Sequence, residues 1–113
     1  MNKDSKGSFV IVAYKPKPGK DEKLLEIVKN HIPVLLCQGL VEEQKSIILR
    51  SKNGTILECF EWKSVEAVEI AHKNQAVLDM WEDFDDACEY ETLANLDECK
   101  NLFAGFERIE GYL

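Results

Sequence analysis

Six consecutive apolar residues, Phe9-Val10-Ile11-Val12-Ala13-Tyr14, would leave no polar side chain on either face of a strand. A strand in a sheet with one wet side alternates apolar with polar positions, so this one must be covered twice. The chain has 113 residues, enough for one domain with a real core. A layer of helices can cover one side of the strand, and another body must cover the second. The run itself is far short of the ~20 residues a membrane helix needs.

The remaining pattern supplies the helices. The first strand reads as Ser8–Lys15, and Pro16-Lys17-Pro18-Gly19 is a turn. A helix should begin near Lys20, with Asp21 and Glu22 in its first turn, where the dipole favours negative charge. Its inner stripe is Leu24, Ile27, Val28, His31 and Leu35, and a histidine on such a stripe reads as buried and hydrogen-bonded. Pro33 predicts a kink or restart, and Gly39 a stop. Lys45–Arg50 and Thr55–Trp62 read as strands joined at Asn53-Gly54, the strongest short hairpin signal. A type I′ turn there would place Leu49 opposite Glu58, Ile47 opposite Phe60 and Lys45 opposite Trp62.

Ser64 can cap a helix running to about Lys73, and Asn74 can cap the next. Val77, Trp81, Phe84 and Cys88 then form an apolar stripe, and the acidic run over 79–91 reads as its solvated face. Asn95 with Glu98 resembles a capping box. Phe103–Ile109 reads as the last strand.

This order predicts an α+β, ferredoxin-like split βαβ domain over 8–113, behind a frayed 1–7. It has a four-stranded antiparallel sheet with helices on one face. A bare apolar sheet face is a patch that monomers avoid, so a second copy is expected to pack sheet against sheet as a homodimer.

Charge narrows the partners. Fourteen basic against twenty-one acidic residues give −7, which excludes nucleic acid as the expected partner. No apolar signal segment follows the polar start, so no membrane association and a cytoplasmic location are expected. Cys37, Cys59, Cys88 and Cys99 contain no Cys-x-x-Cys pair, so free thiols are expected and no metal. No phosphate loop or nucleophile elbow is present.

Phe60-Glu61-Trp62-Lys63-Ser64, Glu66-Ala67, Ala71-His72, Val77 and Trp81 resemble the middle of the dimeric α/β-barrel superfamily, most closely its antibiotic-biosynthesis-monooxygenase-like family. The Pro18-Gly19-Lys20 entry to the first helix is similar too. The resemblance implies a homodimer with a pocket between sheet and helices in each protomer. Some relatives oxidise polycyclic phenols with molecular oxygen and no metal or flavin; others degrade haem, isomerise small metabolites or have no known activity. Many carry a second histidine shortly after the first, where this chain has Asn74-Gln75-Ala76-Val77.

The expected function is therefore that of a cofactor-independent monooxygenase or isomerase acting on a small planar, mostly apolar molecule, phenolic or polyketide-like. The alternative is a non-catalytic binding or assembly module on the same scaffold. His72 is the first candidate base, or else closes its helix. Glu58 is a second candidate base if it lies on a dry face, or else it occupies a wet strand end or pairs with a cation of a partner chain. Trp62 and Phe60 could hold a flat ligand or simply pack. Tyr14 could stand at the pocket mouth or be a plain strand-end aromatic. Trp81 could close the pocket beside His72 or belong to the core.

Overall fold

In a computed structural model of the protein, residues 7–109 are described. Of the expected frayed stretch, all but Gly7 lies outside them. The doubly apolar segment is a strand, β1 (Ser8–Pro16). It is followed by α1 (Asp21–Cys37), β2 (Ile47–Arg50), β3 (Ile56–Trp62), α2 (Val65–Ala71), α3 (Gln75–Ala87), β4 (Cys88–Glu91) and β5 (Glu107–Arg108). The strands make one antiparallel sheet of order β4-β1-β3-β2-β5. The class is α+β with an antiparallel sheet, as the pattern predicts, but with five strands in place of four.

Local chemistry explains most element ends. Ser64 accepts from the Ala67 N–H at 3.1 Å, and Asn74 from the Val77 N–H at 3.1 Å, so both expected caps form. Gly39 has φ +73, and the N–H groups of Gly39 and Leu40 reach back to the Leu36 and Leu35 carbonyls. That paired bonding past a left-handed glycine is a Schellman stop. The kink or restart expected at Pro33 does not divide α1, which is assigned as one helix across it. Asn95 does not cap a helix; its amide bonds Glu91, and the Glu98 carboxylate instead accepts the Lys52 N–H at 2.8 Å.

The hairpin differs by one residue from the expected register. Type I′ needs positive φ at both central positions. Among the described residues, none other than glycine has positive φ, and in the turn it is Gly54 that adopts it (φ +94). The Ser51 N–H donates to the Thr55 carbonyl and the Gly54 N–H to the Ser51 carbonyl, leaving a three-residue loop. The Asn53 side-chain oxygen also accepts the Thr55 N–H. Ile48 therefore faces Glu58, Leu49 faces Leu57 and Ile47 faces Cys59. A one-residue slip exchanges faces, so Ile47 and Leu49 lie on the side opposite Phe60 and Trp62. Gly54→Ala should cost about 1–2 kcal/mol in a urea titration, because an L side chain is strained at this φ. The same change at Gly105, where no atom lies within 4 Å of an added Cβ, should stay within about 0.5 kcal/mol. Equal losses at the two sites would refute the strain argument.

The place beside β1 belongs to β4, which the helical stripe hides. Phe84 to Cys88 is a helical step, yet Cys88 is extended (φ −153, ψ 169) and α3 ends at Ala87. Pairing of Tyr90 with Tyr14 continues the sheet. The acidic run thus crosses from helix into strand. The last strand is only Glu107–Arg108, at the opposite edge against β2.

All three α-helices pack on one sheet face. Tyr14, Ile48, Ile56, Phe60 and Trp62 meet Leu24, Val28, Leu35, Ala71, Val77 and Phe84 there. The second face is divided. Ala13 and Leu57 are buried under Leu96, with Leu49, Leu93, Cys99 and Phe106 around them. This cover comes from the chain's own 3-10 turns, Leu93–Asn95 and Asp97–Lys100, and the segment beyond. Phe9 (62 % exposed), Ile11 (48 %) and Ile47 (40 %) remain open to solvent. Among the described residues, no helix is long and apolar enough to cross a membrane.

Candidate functional site

A cavity of about 380 Å³ opens between sheet and helices. Val10, Val12 and Tyr14 reach it from β1, and Phe60 and Trp62 from β3, because alternate residues of both strands face the helices. His31 enters from the inner stripe of α1, and Trp81 and Phe84 from α3. His72, at the end of α2, and Tyr90, on β4, complete the wall. A larger open crease of about 610 Å³ lies at the sheet end near Glu42, Gln44 and Glu61. The Gln44 amide bridges there to both backbone groups of Glu61.

The polar chemistry of the smaller cavity sits behind its wall. Glu58 is 0 % exposed in the middle of β3. Its Oε1 accepts the Tyr14 hydroxyl at 2.7 Å and lies 2.8 Å from His31 Nδ1. Its Oε2 is buried with no hydrogen-bond partner. On the far side of the imidazole, Trp81 Nε1 donates to His31 Nε2 at 3.4 Å. An indole nitrogen only donates, so Nε2 accepts and Nδ1 carries the hydrogen given to Glu58. Two aromatic rings hold the imidazole in place. Phe60 and Phe84 meet it nearly edge-on, with centroids 5.3 and 5.2 Å away.

His72 is placed differently. It is exposed, its Nδ1 donates to the Val68 carbonyl at 2.8 Å, and its ring stands 5.1 Å from that of Trp81.

Burial pushes the Tyr14 hydroxyl well above the ordinary tyrosine range, helped by the charge and hydrogen bond of Glu58. Tyr14 therefore stays a phenol and a donor. The Cys59 thiol is raised by burial and then by Glu58. The Cys88 thiol is pushed up to about 11 by burial and by Asp85 and Glu89, against a lowering by Lys17. Tyr90 is raised by burial and then by Asp85.

These shifts share one sign. A folded-state value above the unfolded one gives stability that is complete below the unfolded value and is lost as pH rises through the folded one. Cys88 moves from 9.0 to about 11, so stability should fall across that window, by roughly 2 kcal/mol from Cys88 alone. Tyr14 and Tyr90 add losses of the same sign above their ordinary value of 10.0. Urea titrations at several pH values across the window measure this, and a flat profile would contradict it.

Of the residues singled out from sequence, Tyr14, Phe60, Trp62, His72 and Trp81 all line this cavity. Glu58 does not reach the wall but is bonded to two residues that do. The wet-strand-end alternative for Glu58 is therefore excluded. His31 is buried and hydrogen-bonded as its stripe position predicts, and it also faces the cavity. Phe84 and Tyr90, which pattern alone assigns to the core, are further lining residues. The signal for His31 was a buried carboxylate on the facing strand, which needs the three-dimensional pairing to see. All four cysteines are free, with Cys59 and Cys88 buried. Among the described residues, no group of three His, Cys, Asp or Glu side chains could hold a metal ion. No protein-family model matches the chain, and neither a curated protein nor a solved structure matches it.

Proposed function

We propose that the protein binds a small planar, mostly apolar molecule bearing an ionisable hydroxyl in the sheet–helix cavity. Proton removal from that hydroxyl would start a cofactor-independent oxidation or isomerisation. The observation that carries this reading is an aromatic-walled cavity of about 380 Å³ backed by the buried Glu58–His31–Tyr14 cluster. Ligand sites are typically apolar clefts of roughly 300–1,000 Å³ with a few convergent polar groups. In the oxidation version the ligand anion gives its electron to molecular oxygen.

The scaffold we propose is ferredoxin-like and paired, as in dimeric α/β barrels. The order β4-β1-β3-β2 and the helices on one face support the first part. The open Phe9, Ile11 and Ile47 support the second, since a second copy would cover them. Sedimentation should show a dimer at micromolar concentration, and Phe9→Asp should shift it to monomer without unfolding it. A wild-type monomer would remove the pairing.

Both tryptophans of the chain, Trp62 and Trp81, line the cavity, so intrinsic fluorescence reports on it directly. Naphthols and other planar phenols should change that emission, and linear alkanoates of similar size should not. Equal responses would refute a planar ligand. Oxygen consumption and product analysis on the phenols that bind then separate an enzyme from a module that holds its ligand unchanged.

A further inference from the structure

We propose that His31 is the group that takes the ligand's proton, with Glu58 as the positioning residue behind it and the Trp81 N–H as the donor that the ligand hydroxyl displaces. The assignment rests on the reading of the cavity as a site for a planar hydroxyl-bearing ligand, and names the atom that does the chemistry.

Three observations converge on Nε2 of His31. The ring lines the cavity, while its Nδ1 is fixed on a fully buried carboxylate at 2.8 Å. A carboxylate on one imidazole nitrogen sets the tautomer and aims the lone pair of the other, the arrangement by which a base is oriented in nucleophile–base–acid triads. Among the described residues, that lone pair is met by the Trp81 indole, at 3.4 Å, beyond the usual 2.7–3.2 Å for a nitrogen donor. A ligand hydroxyl at normal distance would outcompete it.

Tyr14, Glu58 and His72 lack this arrangement. The Tyr14 hydroxyl is spent on Glu58 at 2.7 Å and stays protonated. Glu58 has no surface on the cavity. His72 is exposed, and its Nδ1 is oriented by the Val68 carbonyl rather than by a carboxylate.

The step is a simple proton transfer. The ligand O–H bond breaks, an N–H bond forms at Nε2, and the electron pair stays on the ligand oxygen. His31 becomes an imidazolium between the new anion and Glu58, whose negative charge stabilises it. The proton stays on Nε2 until product takes it back. This specifies a ligand with one hydroxyl at the His31 end and apolar rings over Phe60, Trp62 and Trp81.

The test uses the wild-type chain, because it has only two histidines. Nitrogen NMR of 15N-histidine-labelled protein, assigned with His72→Asn, follows both rings while 4-nitrophenol is titrated at a pH below its own pKa. The phenolate absorption band of this probe reports its ionisation. The expected result is a bound phenolate with the His31 signals moving to the doubly protonated pattern. 4-Nitroanisole, which lacks the hydroxyl, should bind about tenfold more weakly and leave them unmoved. Glu58→Gln should still bind 4-nitroanisole but lose the phenolate band. His31→Gln should bind the two probes equally; if it does not fold, the wild-type spectra decide. Bound 4-nitrophenol with His31 signals unchanged, or with His72 protonated in its place, overturns the assignment and leaves the cavity reading standing. Failure of both probes to bind overturns the cavity reading and this one with it.

Discussion

Glu58→Ala is expected to destabilise the protein by about 3–5 kcal/mol, because it takes the acceptor from two buried donors at roughly 1–3 kcal/mol each. The carboxylate accepts from Tyr14 and from His31, each only 3 % exposed, so neither stranded donor can turn to water. Glu58→Gln keeps an acceptor at the same place and should lose only about 1–2 kcal/mol. Tyr14→Phe in the Glu58→Ala background should restore part of the loss, because one stranded donor is gone. Chemical denaturation of these variants measures each value. A loss under about 1 kcal/mol for Glu58→Ala would mean that the cluster does not bear on the fold as drawn. Stability alone does not account for a carboxylate here. Replacing a buried polar cluster by apolar groups of similar volume is often neutral or stabilising, and Oε2 has no partner at all. The combination of Glu58→Met, His31→Leu and Tyr14→Phe should therefore recover most of the stability while removing every proton-handling group behind the cavity wall.

Local rules were enough where one residue decides the outcome. The caps at Ser64 and Asn74 and the stop at Gly39 are short-range hydrogen-bond chemistry, visible in a few neighbouring letters. The doubly apolar β1 is covered by the helical layer on one face, while on the other Ala13 is buried and Phe9 and Ile11 stay exposed. The second covering is only partly legible, because Leu93, Leu96 and Phe106 lie too far apart in sequence for periodicity to show that they fold back over Ala13 and Leu57. The hairpin register turned on whether Asn53 takes positive φ, which an Asn-Gly pair permits but does not require. β4 was hidden because Cys88 is buried whether α3 continues or stops. For the site, five aromatic and histidine positions could be chosen by type and face. The central contact joins residues 27 apart, His31 and Glu58, and depends on how α1 lies across β3.

Phe84→Ala should be the most damaging single change in the cavity wall, at about 3–5 kcal/mol, the range for truncating a buried phenylalanine. The ring is 1 % exposed, stacks on Tyr14 with centroids 4.8 Å apart, and meets the edge of His31 at 5.2 Å. It is thus both core filling and the support that holds two members of the polar cluster at hydrogen-bond distance from Glu58. Removing it enlarges the cavity next to those residues, so a surviving variant should accept bulkier planar ligands while transferring the proton less well. Phe103→Ala, at a residue 86 % exposed, should stay within about 0.5 kcal/mol. Thermal and urea melts measure the first effect, and the phenolate band of bound 4-nitrophenol measures the second. If Phe84→Ala keeps the full band despite losing stability, the imidazole is held by Glu58 alone. If band and stability fall together, and Phe103→Ala changes neither, packing of the α3 aromatic against the sheet is what keeps the base aimed at its ligand.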